Sequence, residues 1–313
     1  MIARIKFELS SRLYNLLHGG QKMVAVVSCD RWKGRILDDR LVVLALQRSG
    51  MRAKIISWQD AKVNYDKIDG LVIGSMWGYQ NYLEELKEWF SRVGGKKMLN
   101  PIEVILANYD KEKQFRLLAE HGIAAVPVQM IAPGNEEVRG AVLAAMAKFG
   151  PDVVVKPSIS GSGQDTFLIS EQAIKNACSL DGAMPNLETI NREKTLMVQP
   201  FMPEIDGGEL AVIYIGGKLS HAVMRYPHIF SDEGVEHEVG VNQLEPEVLQ
   251  ICQKILAIPE YKEAAYARLD FVKTNKGYLV MEVEMFEPQL FYSRIEERDK
   301  ALSSIVEQIK QRV

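Results

Sequence analysis

The sequence predicts an α/β protein, because apolar strand patterns and helical patterns alternate along its first hundred residues. Short apolar runs at residues 24–28, 53–57 and 70–74 are typical of buried strands. Apolar residues at helical spacing follow two of these runs, over residues 38–49 and 82–93. A strand–helix–strand succession of this kind predicts a small parallel sheet that is covered by helices.

The second half of the chain predicts an α+β arrangement, because its strand patterns come in neighbouring pairs. A Gly-Gly pair at 216–217 separates two apolar runs, and such a pair favours a two-residue hairpin turn. Residues 265–272 and 277–285 predict a last strand pair, and a closing helix is expected over about 293–312. Residues 226–242 are expected to form an acidic loop.

The composition of the 313 residues excludes several classes of protein. A net charge of −3 provides no overall basic field, so no nucleic-acid partner is expected. No apolar run reaches the roughly 18 residues that span a bilayer, so no membrane partner is expected. Cys29, Cys178 and Cys252 lie far apart without metal-ligand spacing, which predicts buried thiols and a cytoplasmic location.

Residues 1–22 differ in pattern from the rest of the chain. Their apolar residues have the spacing of one side of a helix. Lys6, Glu8 and Arg12 interrupt the apolar stretch, so a secretory signal is not expected. We expect either an extra helix or residues upstream of a natural start at Met23, with contact to a membrane surface as the alternative.

A lysine and a turn of small residues follow one of the predicted strands. The strand ends at Lys156, and the small residues after it are Ser160, Gly161, Ser162 and Gly163. Small residues let backbone N–H groups approach a phosphate, and a fixed ammonium adds positive charge. The order of residues differs from a Walker A loop. The alternative is a surface lysine at a strand end, followed by an ordinary turn.

Acidic residues cluster on the last predicted strand pair. Arg268 and Asp270 lie two residues apart on one strand, and Glu282 and Glu284 lie two apart on the next. Alternation puts each pair on one face of its strand. If the strands pair, three carboxylates converge, and oxygen ligands of this kind suit Mg²⁺. The alternative is the solvated face of a hairpin.

The order of these motifs along the chain is more specific than any one of them. They are Asp110-Lys111 at a helix start, Lys156 with its turn, the apolar run 196–201, Glu209 after two glycines, a hairpin ending in Arg225, and the Arg-x-Asp and Glu-x-Glu strands. This succession, over about residues 101–292, resembles the ATP-grasp superfamily. Its members include D-alanine–D-alanine ligase, glutathione synthetase and the ribosomal-protein glutamate ligases.

Motifs in the first hundred residues resemble one branch of that superfamily, which contains the O-ureido-serine cyclo-ligase of cycloserine synthesis. They are Ser75-Met76-Trp77-Gly78-Tyr79, Leu99-Asn100-Pro101 and Asn108-Tyr109-Asp110-Lys111. The resemblance covers about residues 24–310. The organisation that it implies is an extension at 1–22, a small parallel-sheet domain at 23–105, and an ATP-grasp module with a small subdomain at 106–198 and a large subdomain at 199–313.

The resemblance also implies which residues bind ATP. They are Lys111 and Lys156 at the phosphates, the turn of Ser160, Gly161, Ser162 and Gly163 over them, the adenine hinge of Gln199, Pro200, Phe201 and Met202, and Glu209 at the ribose. Some relatives have Asp-x-Arg where Glu209-Leu210-Ala211 stands here. One basic contact of those relatives is therefore expected to be absent from this chain.

For the chemistry itself, the resemblance implies two arginines and three carboxylates. Arg225 and Arg268 would face the transferring phosphoryl group. One or two Mg²⁺ ions, with Mn²⁺ as the alternative, would be held by Asp270, Glu282 and Glu284. Many relatives have Asn where Glu284 stands, so the arrangement around the ion is expected to differ here.

The reaction implied by the resemblance is ATP-dependent joining of a small carboxylate to an amine. It would proceed through an acyl phosphate on an amino-acid- or peptide-like substrate, and it would release ADP and phosphate. The alternatives are an intramolecular cyclo-ligase, a small-molecule kinase and a nucleotide-binding regulator without turnover. The expected partners are the two small-molecule substrates and a second copy of the chain, bound through the first domain.

Three features are expected to govern the choice of substrate. Trp77 and Tyr79 follow a strand, where open α/β sheets place ligands, and packing between domains is the alternative. Glu287 could bind a substrate amine or form a structural salt bridge. Asp232 and Glu233 in the acidic loop suggest a cationic or amino-bearing substrate.

Overall fold

A computed structural model of the chain describes residues 2–93, 97–161, 163–176, 184, 186–226 and 235–313. The helices of these residues are α1 (Ile2–Leu17), α2 (Leu37–Arg48), α3 (Leu83–Val93), α4 (Ile102–Asn108), α5 (Lys111–Glu120), α6 (Val138–Phe149), α7 (Glu171–Asn176), α8 (Leu187–Asn191), α9 (Pro246–Leu256) and α10 (Arg298–Arg312). The described strands form one parallel and two antiparallel sheets, so the predicted fold class is confirmed.

The first sheet is parallel, as the alternation of strands and helices predicts. Its strands are β1 (Met23–Ser28), β2 (Arg52–Ser57), β3 (Gly70–Ile73) and β4 (Lys97–Met98), in the order β2-β1-β3-β4. β1 is buried along its whole length, because α2 and α10 cover one face of the sheet. Trp89 and Phe90 of α3 pack on the other face.

Helix α1 covers the outer edge of this sheet, where β2 is the edge strand. Asn15 donates its Nδ2–H to the carbonyl of Ala53 at 2.8 Å and accepts the N–H of the same residue at 3.0 Å. The side-chain amide thus takes the place of a neighbouring strand. The opposite side of α1 exposes Ile5, Leu9, Leu13, Leu16 and Leu17. No helix among the described residues is long and apolar enough to cross a membrane.

The second sheet is antiparallel and carries the lysine strand. Its strands are β5 (Gln129–Ile131), β6 (Asp152–Pro157), β7 (Phe167–Ser170) and β8 (Leu196–Pro200), in the order β5-β8-β6-β7. Val153 and Val155 alternate into a core with α6, which leaves Lys156 on the other face. The predicted domain limit at 198/199 falls inside β8. The domain limits themselves remain predictions.

The third sheet is antiparallel and contains the acidic strand pair. Its strands are β9 (Glu209–Ile215), β10 (Lys218–Tyr226), β11 (Val235–Val239), β12 (Tyr266–Thr274) and β13 (Gly277–Glu284), in the order β11-β10-β9-β12-β13. Gly216 and Gly217 have φ values of +60° and +70°, which match the predicted two-residue turn. α9 packs against this sheet.

Two predicted elements differ in the structure. The expected loop 226–242 contains β11, which pairs with β10, and its residues 227–234 lie outside the described residues. The closing helix begins at Arg298 rather than near residue 293. The Asp38 carboxylate accepts the N–H groups of Tyr292 and Ser293, both at 3.0 Å, and this contact holds the segment against α2 in a 3₁₀ turn.

Candidate active site

The three sheets meet around a cavity of 380 Å³. Its lining combines predicted site residues from the second and third sheets with residues that follow strands of the first and third sheets. The residues that line it are Trp77, Lys156, Ser160, Gly161, Gly163, Glu209, Arg225, Arg268, Met281, Glu282, Glu284, Glu287 and Gln289. Of the other predicted site residues, Lys111, Gln199, Pro200, Phe201, Met202 and Asp270 lie outside this lining, and Ser162 lies outside the described residues.

Strand register explains why the charged residues lie together. β12 and β13 pair so that Asp270 lies opposite Glu282 and Arg268 lies opposite Glu284. On the other side of β9, Arg225 lies opposite Glu209. Directly opposed residues on one face of an antiparallel pair have neighbouring side chains. A sheet of alternating apolar and charged residues therefore presents all of these charges on one face.

Two arginines enclose Asp270, which is completely buried. Arg268 donates from Nε to both carboxylate oxygens at 3.0 Å, and Arg225 donates from Nη2 to Oδ2 at 2.9 Å. Arg225 also pairs with Glu209. We call these four residues the arginine clamp. Burial would lower the pKa of Arg268, but the charges of Asp270 and Glu282 raise it above its ordinary value.

The arginine clamp leaves one donor without a partner. The Nε atom of Arg225 is buried and has no hydrogen-bond partner among the described residues. The same holds for Nε2 of Gln199 on β8, a strand that pairs with the lysine strand. A buried N–H without an acceptor is costly, so both positions suit a ligand that brings acceptor oxygens or nitrogens.

Lys111 joins the second sheet to the third. It follows Asp110, whose side chain caps α5 by accepting the N–H of Glu112 at 3.0 Å. Its Nζ lies 3.1 Å from Oε1 of Glu282 and donates to the carbonyl of Ser160 at 2.6 Å. Burial alone would raise the pKa of Glu282, but the charges around it, beginning with Lys111, lower it to about 2.

Lys156 differs from Lys111 in its surroundings. It lines the cavity, and no described carboxylate lies within ion-pair distance of its Nζ. Burial and the charge of Lys111 lower its pKa, and they outweigh the opposing charges of Glu282 and Glu209. An uncompensated ammonium in a cavity of this kind can bind an anionic ligand.

Two carboxylates follow along the end of β13. Glu284 accepts the N–H groups of Phe286 at 2.9 Å and Glu287 at 3.2 Å through Oε1. Glu287 is 6% exposed, and its Oε2 has no hydrogen-bond partner among the described residues. Burial, followed by the charge of Glu284, raises the pKa of Glu287 well above its ordinary value. Oε2 of Glu287 thus differs from both oxygens of Asp270, which accept hydrogen bonds from arginines.

No group of three His, Cys, Asp or Glu side chains within the described part of the chain is arranged to hold a metal ion. Asp270 is bound by arginines, and Glu282 is bound by Lys111. Glu282 and Glu284 nevertheless line the cavity next to each other and supply carboxylate oxygens, the donor type that Mg²⁺ prefers. A divalent ion at this wall is chemically compatible with these two residues, and Asp270 could join them only after an arginine moves away.

Residues that follow β3 of the first sheet adjoin the cavity, where Trp77 lines it and Gln80 contacts the lining residue Gly161. Trp77 donates from Nε1 to the carbonyl of Glu287 at 3.3 Å. Gln80 donates from Nε2 to Gln164 at 2.9 Å and to the carbonyl of Gly161 at 3.4 Å. Sequence reasoning missed Gln80 and Gln164. Their amides carry no charge signal, and the only available sign was the position of Gln80 directly after the Trp77–Tyr79 motif.

Two asparagines hold the acidic strands in place. Asn100 donates to the carbonyls of Tyr266 at 2.9 Å and Met285 at 2.7 Å. Asn108 donates to the carbonyl of Val283 at 2.8 Å and accepts the N–H of Met285 at 2.7 Å. Both side chains are buried and tie the segment before α5 to the ends of β12 and β13. These contacts give a structural role to the motifs around residues 100 and 108.

Two known protein families match different parts of the chain. The N-terminal domain of the D-cycloserine synthetase DcsG matches residues 24–100. The RimK-like ATP-grasp domain matches residues 108–307. The cycloserine biosynthesis protein DcsG of Streptomyces lavendulae is 21% identical over 264 residues, which cover 79% of this chain and 85% of that protein.

Solved structures share the fold at low sequence identity. The crystal structure of D-cycloserine synthetase DcsG has a TM-score of 0.77 and 19% identity, and the match covers 92% of this chain and 99% of that one. D-Alanine–D-alanine ligase from Bacillus anthracis, complexed with ATP, has a TM-score of 0.60 and 16% identity, over 93% and 97% of the chains. Since the ATP-grasp model matches well over half of the chain, the chain belongs to the RimK-like ATP-grasp family and is an ATP-dependent ligase that forms carbon–nitrogen bonds.

Proposed function

We propose that this ligase joins a small amino-acid- or peptide-like carboxylate to an amine through an acyl phosphate, with release of ADP and phosphate. The observation that carries the proposal is the charge of the cavity wall. Lys156, Arg225 and Arg268 present cationic groups there, beside the carboxylates of Glu282 and Glu284. Such a wall suits the phosphates of ATP and a divalent ion that bridges them.

The nucleotide would lie between the second and third sheets. Lys111 and Lys156 would bind its phosphates beneath the turn of Ser160, Gly161, Ser162 and Gly163. The unpartnered Nε2 of Gln199 supports an adenine hinge that includes Pro200, Phe201 and Met202, because adenine nitrogens are acceptors. Glu209 would bind the ribose hydroxyls. Lys111 already holds the carbonyl of Ser160, which supports its place under the turn.

The two arginines would act on the transferring group. A carboxylate is a poor electrophile, and phosphorylation gives it a good leaving group. Charge on the phosphoryl oxygens would be offset by Lys156, by Arg268 and by Arg225, whose free Nε–H supports this role. The amine then attacks the acyl carbon, phosphate leaves, and the nitrogen loses a proton. Positioning and charge would suffice, and no covalent protein intermediate is needed.

Glu282 and Glu284 would hold Mg²⁺, with Mn²⁺ as the alternative ion. When bound, the ion would supply further charge compensation at the phosphoryl oxygens. Asp270 stays a proposed third ligand. It would become free for that role when an arginine of the clamp turns from it to the phosphates, so nucleotide and ion would rearrange the clamp together.

An intramolecular version of the reaction has one specific observation in its favour. The N-terminal region matches the corresponding domain of a D-cycloserine synthetase, and that domain lies beside the cavity through Trp77 and Gln80. In a cyclo-ligase, the carboxylate and the nucleophile belong to one molecule. A single compound would then be sufficient for release of both ADP and phosphate.

Several finer expectations remain proposals. The domain limits at residues 22/23, 105/106 and 198/199 are among them, as is a homodimer formed through the first domain. A cytoplasmic location is proposed because Cys29 and Cys252 are buried free thiols, and Cys178 lies outside the described residues. Light scattering would contradict the homodimer if it gave the mass of a single chain.

The proposal is tested by following ADP and phosphate release from Mg²⁺-ATP with amino acids and small dipeptides, singly and in pairs. Release of both products only with particular pairs supports the intermolecular ligase. Release of both with one compound supports the cyclo-ligase, and release of ADP alone indicates a kinase. If nothing is released and calorimetry finds no nucleotide binding, the assignment of the site is wrong. An Asp270→Asn, Glu282→Gln double variant provides the inactive reference.

A further inference from the structure

The main chain of Glu287 is held in position by two hydrogen bonds. Its N–H donates to Oε1 of Glu284 at 3.2 Å, and its carbonyl accepts Nε1–H of Trp77 at 3.3 Å. Its side chain is 6% exposed and lines the cavity. The main chain around it is thus held from two sides, by β13 and by the first sheet. A carboxylate held in this way is preorganised for a ligand.

Glu287 has no cation to balance it within the described residues. No Lys, Arg or His nitrogen of these residues lies within the 4.0 Å of an ion pair, and Oε2 has no hydrogen-bond donor. Glu282 on the same wall and Asp270 behind it each have such partners. A buried carboxylate without a partner is costly, and its retention is understandable if a ligand supplies the positive charge.

A second unpartnered acceptor lies beside it. Oε1 of Gln80 is buried without a donor among the described residues, and Gln80 is 4% exposed. Its amide orientation is set by its Nε2, which donates to Gln164 and Gly161. Gly161 lies beside both side chains, because a Cβ built there would lie 3.5 Å from Oε1 of Glu287, the oxygen next to its unpartnered Oε2, and 3.7 Å from Oε1 of Gln80.

The chemistry of the two acceptors favours an ammonium group over a metal ion. An ammonium has three N–H donors and no acceptor, so a carboxylate and an amide oxygen can both receive from it. The indole of Trp77 on the same wall adds an aromatic surface, which attracts an organic cation. Glu282 and Glu284 on the same wall offer a metal ion two carboxylates, whereas Glu287 and Gln80 offer one carboxylate and one amide oxygen.

We propose that Glu287 and Gln80 form a subsite that binds the ammonium group of the amino-acid-like substrate and thereby selects it over uncharged analogues. This inference rests on the proposed function of the same cavity. We call these two residues the amine subsite. Its position beside Gly161 places the substrate next to the turn over the nucleotide phosphates, so the substrate would bridge the first domain and that turn.

The test measures binding directly, so that it can be read without turnover. Alanine, serine and alanylalanine, each as both enantiomers, are titrated by calorimetry into protein saturated with ADP and Mg²⁺. Lactate, glycerate and lactoylalanine serve as matched compounds in which a hydroxyl replaces the amine. We expect the wild type to bind at least one amine about 100-fold more tightly than its hydroxyl counterpart, and Glu287→Gln to reduce this preference to about 3-fold or less.

The matched control is Glu260→Gln, an exposed position away from the cavity, which should leave the preference unchanged. Gln80→Met should reduce the preference by about 10-fold, since it removes an uncharged acceptor. Replacing a buried carboxyl group whose Oε2 has no described donor should also raise the Tm of Glu287→Gln by about 2 °C, whereas substitution of a glutamate with structural hydrogen bonds would lower the Tm.

Three results would overturn the amine subsite. The first is that the wild type shows no preference for amines, or binds no amine at all. The second is that Glu287→Gln keeps the preference for amines. The third is that Glu287→Gln loses this preference and at the same time shows an at least fivefold weaker Mg²⁺ dependence of ADP binding. The last would assign Glu287 to the metal. ADP release without amine preference would leave the ligase intact and reject this subsite alone, whereas amine preference without ADP release would reject the ligase alone.

Discussion

The arginine clamp and the amine subsite both contribute residues to the cavity lining, and they surround a buried carboxylate in opposite ways. In the clamp, Asp270 receives hydrogen bonds from two arginines on both oxygens. In the amine subsite, Glu287 keeps one oxygen without any described partner. A compensated charge is ordered before ligands arrive, whereas an uncompensated charge gains stability only from a ligand. Under the proposed function, the clamp would serve the common chemistry and the amine subsite would serve the choice of substrate.

The largest expected effect comes from breaking the clamp with Asp270→Asn. The substitution removes the negative charge between Arg225 and Arg268, so the two guanidinium groups repel each other and lose their fixed positions. We expect ADP formation to fall by about 1,000-fold and the free energy of unfolding to fall by about 3 kcal/mol. Coupled ADP assays and urea unfolding measure the two effects.

Asp299→Asn is the control for this substitution, because Asp299 is exposed in the first turn of α10. It should change neither quantity. Retention of more than about a tenth of the wild-type rate in Asp270→Asn would show that the clamp does not organise the chemistry.

Lys111 and Lys156 allow the same comparison between a charge that has an ion-pair partner and a charge that has none. Lys111 is paired with Glu282 and is 6% exposed, whereas Lys156 has no ion pair with another described residue. Lys111→Met should therefore lower the free energy of unfolding by about 3 kcal/mol, because it removes the closer of the two ion pairs of Glu282 and leaves only Arg268 at 3.9 Å. Lys156→Met should leave stability nearly unchanged and reduce ADP formation by about 100-fold.

Urea unfolding and ADP assays on both variants check this contrast. Equal losses of stability would contradict it, since the ion pair of Lys111 would then contribute nothing beyond the burial of an aliphatic stem. Calorimetry with ADP separates a loss of nucleotide binding from a loss of the chemical step.

Asp39 represents a third way to bury a carboxylate, with hydrogen bonds but without an ion pair to any cation of the described residues. It accepts the Oγ–H of Ser75 at 2.5 Å and its N–H at 3.3 Å, and burial raises its pKa to about 7. The folded protein therefore holds this proton more tightly than the unfolded chain, whose ordinary value is 3.8. The contribution to stability is complete below about pH 4 and is lost as the pH rises through about 7.

Asp39→Asn should remove this pH dependence. The free energy of unfolding of the wild type is expected to include a term on the order of 3 kcal/mol that disappears between pH 5 and pH 8. Urea unfolding at pH 5 and pH 8 measures it, with the exposed Asp206→Asn as control. An unchanged difference between the two pH values in Asp39→Asn would assign the titration to another group.

The sequence predicted much of the fold and the charged wall, because both depend on local periodicity. Alternation placed Arg268 and Asp270 on one face, and the strands pair in the register that brings them to Glu282. The predicted start of the last helix was wrong, because the segment before this helix is held by Asp38, some 250 residues away in the sequence. The surroundings of Glu287 depend on Gln80 and Gly161, which come from two other regions of the chain. No local sequence pattern predicts that these three residues lie close together.

The smallest expected effect tests whether the main chain of the amine subsite is held by the first domain. Trp77→Phe removes the hydrogen bond at 3.3 Å to the carbonyl of Glu287 but keeps an aromatic ring. A bond of this kind contributes about 1 kcal/mol, so we expect the KM for the amine substrate to rise by about 5-fold. Since no hydrogen bond among the described residues joins Trp77 to the clamp, the KM for ATP should stay the same.

Trp89→Phe distinguishes this positioning effect from a general loss of stability. Trp89 is buried in α3 and donates to the hydroxyl of Tyr65 at 2.7 Å, so its substitution weakens the same domain without touching the cavity. It should lower the Tm and leave both KM values unchanged. If Trp77→Phe instead raised the KM for ATP and for the amine equally, the first domain would act on the whole cavity, and the separation of clamp and subsite would fail.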